Sequence, residues 1–67
     1  MKAEDIEING TLDWKFGLCT RTIERLSKTK FVINDTSSGW YQSTIKGADK
    51  MNDVMSGKIS LLDLEWE

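Results

Sequence analysis

The amino-acid sequence predicts a small α+β fold: an antiparallel sheet of four to five strands with one or two short helices packed on one face. Three observations carry this. Asn9-Gly10 stands between stretches of alternating apolar residues, the strongest short-range hairpin signal. Phe31-Val32-Ile33 and residues 40–46 read as strands on either side of a polar stretch rich in turn formers. Met51, Val54 and Met55 share one side of a short helix that stops at Gly57. A small all-β barrel with a single helix at residues 48–56 is the second architecture this pattern allows.

Taken in order, Ile6 and Ile8 alternate with Glu7, and Leu12, Trp14, Phe16 and Leu18 alternate with Asp13, Lys15 and Gly17. Period two on both sides of Asn9-Gly10 predicts an N-terminal hairpin. A three-residue loop, Ile8-Asn9-Gly10, pairs Ile6 with Leu12 and puts Gly10 at a left-handed bulge position. Residues 19–29 are read two ways. Cys19, Ile23 and Leu26 fall at helical spacing, whereas Thr20, Thr22 and Thr29 favour a strand. The helical reading is preferred, and it places Arg21, Arg25 and Lys28 on the solvated side. In residues 40–46, Tyr41, Ser43 and Ile45 take one face and Trp40, Gln42 and Thr44 the other. The helix that follows is capped by Gly57 in the left-handed conformation. Residues 58–67 complete the sheet as a final strand, with Leu62, Leu64 and Trp66 on one face and Asp63, Glu65 and Glu67 on the other.

Sixty-seven residues allow one domain, 1–67, with a core at the lower limit of what folds alone. The chain holds one cysteine and no histidine, so neither an internal disulfide nor a structural zinc site can supplement that core. Three Trp, two Phe and one Tyr must supply it, aided by self-association. A homodimer is expected, formed through the apolar final strand. No run of residues is long and apolar enough to span a membrane, and acidic residues stand where a signal peptide carries its apolar stretch. The expected compartment is the cytoplasm.

Catalysis finds little to work with. General acid–base chemistry near neutrality leans on histidine or on a carboxylate with a shifted pKa. Here the carboxylates fall on the solvent faces of amphipathic elements. Ser37-Ser38-Gly39 has no base to activate it, and lone Cys19 beside Leu18 reads as a small buried hydrophobe. The sequence therefore predicts no enzyme and no cofactor.

The net charge of −2 is unevenly spread. Residues 11–33 hold Lys15, Arg21, Arg25, Lys28 and Lys30 against Asp13 and Glu24, while residues 59–67 hold Asp63, Glu65 and Glu67 with no base. A helical face of Arg21, Arg25 and Lys28 would grip phosphates or an acidic protein patch, unless it is an ordinary solvated face. Asp63 and Glu65 on a strand stand about 6.6–6.8 Å apart, the spacing of alternate residues. They would meet a basic partner, or simply discourage edge-to-edge pairing. Trp40 and Tyr41 point to opposite faces, so one of them is left as an interface anchor. The expected function is that of a small non-catalytic protein-binding module, adaptor or inhibitor in type. The alternative is a nucleic-acid-associated protein using the basic 21–30 segment. The partner is another protein, with a second copy of the chain as one form of it, and no membrane.

Overall fold

In the computed structural model, which describes residues 2–16, 19–35 and 41–67 (those at 15, 16, 19 and 20 by backbone alone), the chain is an α+β fold. Four strands form one antiparallel sheet in chain order: β1 (Thr11–Phe16), β2 (Cys19–Arg25), β3 (Lys30–Asp35) and β4 (Tyr41–Lys46). One helix, α1 (Ala48–Ser56), follows, and 3-10 turns stand at Ala3–Asp5 and Leu61–Asp63.

One face of the sheet is apolar and covered. Ile23, Phe31, Ile33 and Ile45 point into it and are buried, together with Met51 and Val54 of the helix. The register arranges this face in rows across the strands. Leu12, Ile23, Ile33 and Ser43 form the middle row, and Arg25, Phe31 and Ile45 one end row. The other face carries Asp13, Thr22, Asn34, Gln42 and Thr44, as alternation requires of a sheet covered on one side. Phe31, Ile33 and Asp35 alternate with half-exposed Val32 and Asn34 along β3, the period-two pattern of such a strand.

The helix matches its prediction. Gly57 ends it at φ 87°, with its N–H donating to the carbonyl of Val54. A side chain in that conformation is strained, which is why glycine stands there.

Three segments depart from the sequence reading. Residues 19–25 are a strand rather than a helix. β2 lies between β1 and β3 and pairs with both, so β-branched Thr22 and Ile23 fit where a helix would leave two strands unpaired. The consequence for charge is large. Arg21, Ile23 and Arg25 share the inner face, so the arginines turn inward instead of lining a solvated helix.

Residues 6–8 are not a strand. The chain makes a 3-10 turn over Ala3–Asp5, buries Ile6 and exposes Ile8. The partner of β1 is β2. Asn9-Gly10 still turns the chain, with the Gly10 N–H donating to the Glu7 carbonyl at 2.8 Å. Asn9 takes the left-handed position, φ 67°, that was assigned to Gly10. Asn9 donates to the Arg25 carbonyl (2.6 Å) while Arg25 donates to that of Gly10 (3.1 Å), so two residues face one, as in a bulge. Gly10 is needed for space: a Cβ there would stand 2.9 Å from the Glu7 carbonyl oxygen.

Residues 58–67 are not a strand either. Ser60 caps the Leu61–Asp63 turn by accepting from the Leu62 N–H. Leu64 enters the core, Trp66 is half-buried and Leu62 is 92% exposed. Contact with the sheet comes at Glu67, which exchanges two backbone bonds with Gln42 of β4 (3.1 and 2.9 Å). The expected dimer through a terminal strand therefore has no strand to use.

Candidate functional site

Toward the end away from Phe31, the inner face carries a row unlike the others. Trp14, Arg21, Asp35 and Tyr41 stand side by side across β1 to β4. Strand alternation forces all four onto the covered face, so an ion pair is set between two aromatic residues. Arg21 Nη2 lies 3.5 Å from Asp35 Oδ2, and the two side chains are only 11% and 12% exposed. The Nε and Nη1 atoms of Arg21 are buried with no hydrogen-bond partner among the described residues. A buried donor left unmade costs about 1–3 kcal/mol.

Segment 58–67 crosses above this row. Trp66 donates its indole N–H to the Leu61 carbonyl at 2.8 Å, which holds the segment in a closed bend. Two cavities remain beneath and beside it, and both are bordered by Arg21, Leu61 and Leu62. One, about 440 Å³, lies toward Trp14 and the end of α1, with Val54, Met55 and Ile59 in its walls. The other, about 360 Å³, lies toward Asp35, Tyr41 and Trp66. Tyr41 is 47% exposed and Leu62 stands free at its rim. Asp63 and Glu65, adjacent in sequence to Leu62 and Trp66, are exposed. The arrangement is an apolar, aromatic-edged opening with a buried cation in its floor.

The predicted site residues thus separate. Arg21 and Tyr41 stand together at this end, whereas Asp63 and Glu65 are exposed in segment 58–67 and line neither cavity. Arg25 lies at the other end of β2, where it holds the fold together. Its guanidinium donates to the carbonyls of Ile6 (2.8 Å), Lys28 (3.0 Å), Glu4 (3.3 Å) and Ser27 (3.3 Å) and lies 5.4 Å from the centre of the Phe31 ring. Lys28 is exposed in the β2–β3 turn. The three cations share no face. Trp40, the turn at Ser37-Ser38-Gly39 and the Cys19 side chain lie outside the described residues. Leu62, Trp66 and Asp35 belong to the site, whereas the sequence puts Leu62 and Trp66 on one face of a final strand and Asp35 in the polar stretch between two strands. Ser60-Leu61-Leu62-Asp63 carried a usable signal, since Ser followed three residues on by an acid is a helix-start pattern.

Among the described residues no group of three or more Cys, Asp or Glu side chains could hold a metal ion, and no helix is long and apolar enough to cross a membrane. Searches of protein-family models, curated proteins and solved structures return no match to this chain.

Proposed function

We propose that this chain is a small non-catalytic protein-binding module, of the adaptor or inhibitor kind, working in the cytoplasm. The observation that carries this is the Tyr41–Leu62 rim. A leucine 92% exposed beside a half-exposed tyrosine, over a cavity floored by a buried arginine, is costly to leave in water and useful against a partner. Tyr, Trp and Arg clustered around a pocket are the residues that dominate measured binding hot spots. The exposed carboxylates of Asp63 and Glu65, each next in sequence to a residue of the site (Leu62 and Trp66), suit a partner with an apolar anchor and a basic border. Nucleic-acid binding loses its support, because its premise was a solvated face of Arg21, Arg25 and Lys28, and these residues lie apart.

The test is affinity capture from the native host with three baits: the unchanged chain, Leu62→Asp, and Tyr41→Ala. Both substitutions are at exposed positions, and circular dichroism checks that the fold is kept. A protein held by the unchanged chain in moderate salt and released by both variants supports the reading. A partner held equally by all three moves binding away from the rim, and retention that collapses on nuclease treatment replaces protein binding with nucleic-acid binding.

A further inference from the structure

We propose that the open edge of β1 pairs, antiparallel, with the same edge of a second copy of this chain about a two-fold axis at Trp14. The surface is at the sheet edge away from Tyr41; it shares Trp14 with the row described above but does not rest on the reading of the Tyr41–Leu62 rim. The argument begins with the direction of the backbone. The Arg25 N–H donates to the Gly10 carbonyl, which therefore turns toward β2. Hydrogen-bonding direction alternates along an antiparallel strand, so Leu12, Trp14 and Phe16 bond β2 while Thr11, Asp13 and Lys15 turn their N–H and C=O groups outward. Among the described residues nothing bonds the outward groups of Thr11 and Asp13, and β1 is the last strand on its side of the sheet. Natural sheets rarely leave such an edge unmanaged.

The sequence of the edge, Thr-Leu-Asp-Trp-Lys-Phe, is complementary to its own reverse. With Trp14 opposite Trp14, Asp13 falls opposite Lys15 of the second copy, and this happens twice. Leu12 falls opposite Phe16, also twice. The outward-turned residues then meet as Asp13–Lys15, so the backbone donors and acceptors are matched and the charges are opposite in the same pairs. Trp14 becomes a pair without backbone bonds, where cross-strand side chains come closest and aromatic pairs contribute most. Neighbouring registers fail. Sliding by two residues sets Asp13 against Asp13 or Lys15 against Lys15. Sliding by one sets the covered face of one copy beside the solvated face of the other. The favoured register continues the two sheets into one of eight strands, both helices on the same side. The contact is the same patch on each copy, so it closes at two chains.

Sedimentation equilibrium over a concentration series, with the 7.7 kDa chain mass as the monomer reference, tests this. The unchanged chain is expected at twice that mass. Asp13→Lys and Lys15→Asp each replace two attractive pairs with two repulsive ones and should raise the dissociation constant about tenfold or more. The double variant D13K/K15D should return to the original value. Mixing the two single variants should give a heterodimer tighter than either variant with itself. A chain that stays at one-copy mass throughout overturns the proposal. So does a dimer indifferent to both single changes, or a loss of association that neither the double variant nor the mixture restores. Circular dichroism of each variant separates loss of pairing from loss of fold, and the double variant keeps the test decisive where one single variant fails to fold.

Discussion

Replacing Arg25 with Ala should unfold this protein more readily than any change at the exposed cations. Arg25 stands on the covered face at the end of β2, and its guanidinium reaches four backbone carbonyls and the Phe31 ring. These contacts are unequal. The bonds to Glu4, Ser27 and Lys28 are exposed, and water replaces them at little cost. The bond to Ile6 is partly buried at 2.8 Å, and a charged donor to such an acceptor contributes about 1.5–3 kcal/mol. The ring contact adds about 0.5–1 kcal/mol. The expected loss is about 3 kcal/mol, which for a chain of this size lowers the melting temperature by roughly 15 °C. Arg25→Lys keeps the charge near Phe31 but has one ammonium for the spread of carbonyls, so it should lose about half as much. Urea denaturation at fixed protein concentration reads the change, provided the slope is conserved. Hydrogen exchange localises it: the Asp5 and Ile6 amides, bonded to Lys2 and Ala3 in the first turn, should exchange faster than those of β3. A loss below about 0.5 kcal/mol, the ordinary range for surface substitutions, would refute the anchoring role.

Three further outcomes follow from the same contacts. Gly57→Ala should cost about 1 kcal/mol, read as a lower melting temperature, because alanine must adopt φ 87° to keep the helix end. Gly10→Ala should cost about 1 kcal/mol or more, since its Cβ meets the Glu7 carbonyl at 2.9 Å and the obstacle is backbone; an unchanged urea midpoint would show that the turn shifts freely. At the buried pair, Asp35→Ala alone should cost about 3 kcal/mol by removing the carboxylate beside a buried guanidinium, whereas Arg21→Met with Asp35→Leu should recover most of it. A double-mutant cycle checks this, and additive losses would count against the pair acting as a unit.

The parts of the fold legible in the sequence are those whose local pattern agrees with their surroundings. Phe31, Ile33 and Ile45 alternate because one side of the sheet is covered. Met51 and Val54 fall at helical spacing and Gly57 supplies the stop, so α1 needed no tertiary information. The illegible parts are those where a local signal was reused. Asn9-Gly10 turns the chain, but into β1 from a 3-10 turn, since two alternating residues, Ile6 and Ile8, do not make a strand. Cys19, Ile23 and Leu26 have helical spacing, yet residues 19–25 are needed between two strands, and Leu26 ends up 37% exposed in the turn. At the site, the sequence leaves one of Trp40 and Tyr41 as an exposed aromatic without saying which; Tyr41 shares the face of Ser43 and Ile45 yet is 47% exposed. Arg21 and Asp35 were not legible, because patterning rules place charges outward. Only the cross-strand register shows them facing one another.

That inward placement has a geometric origin. A nine-residue helix is about 13 Å long, whereas a six-residue strand is about 20 Å. One such helix cannot cover four strands from end to end. The helix packs over β3 and β4, leaving the ends of the covered face to be closed otherwise. At one end the Ala3–Asp5 turn fills the space. Asn52 holds it there, accepting from the Ala3 N–H (2.7 Å) and donating to Glu4 Oε1 (2.8 Å), while Arg25 binds the carbonyls behind it. At the other end, among the described residues, the bent 58–67 segment inserts Leu64 while leaving Leu62 outside. Arginine suits both ends because its apolar stem extends the core and its head ends in hydrogen-bond donors. At Arg25 the donors meet carbonyls and the end is closed. At Arg21 one nitrogen faces Asp35, two have no partner among the described residues, and cavities remain on either side. Among the described residues, the cavities at that end and the proposed binding rim are therefore the same feature, found where the helix leaves the sheet uncovered. Widening α1 by a turn to fill those cavities should raise stability and abolish binding at Leu62 together, and a variant that gained the first while keeping the second would separate the two.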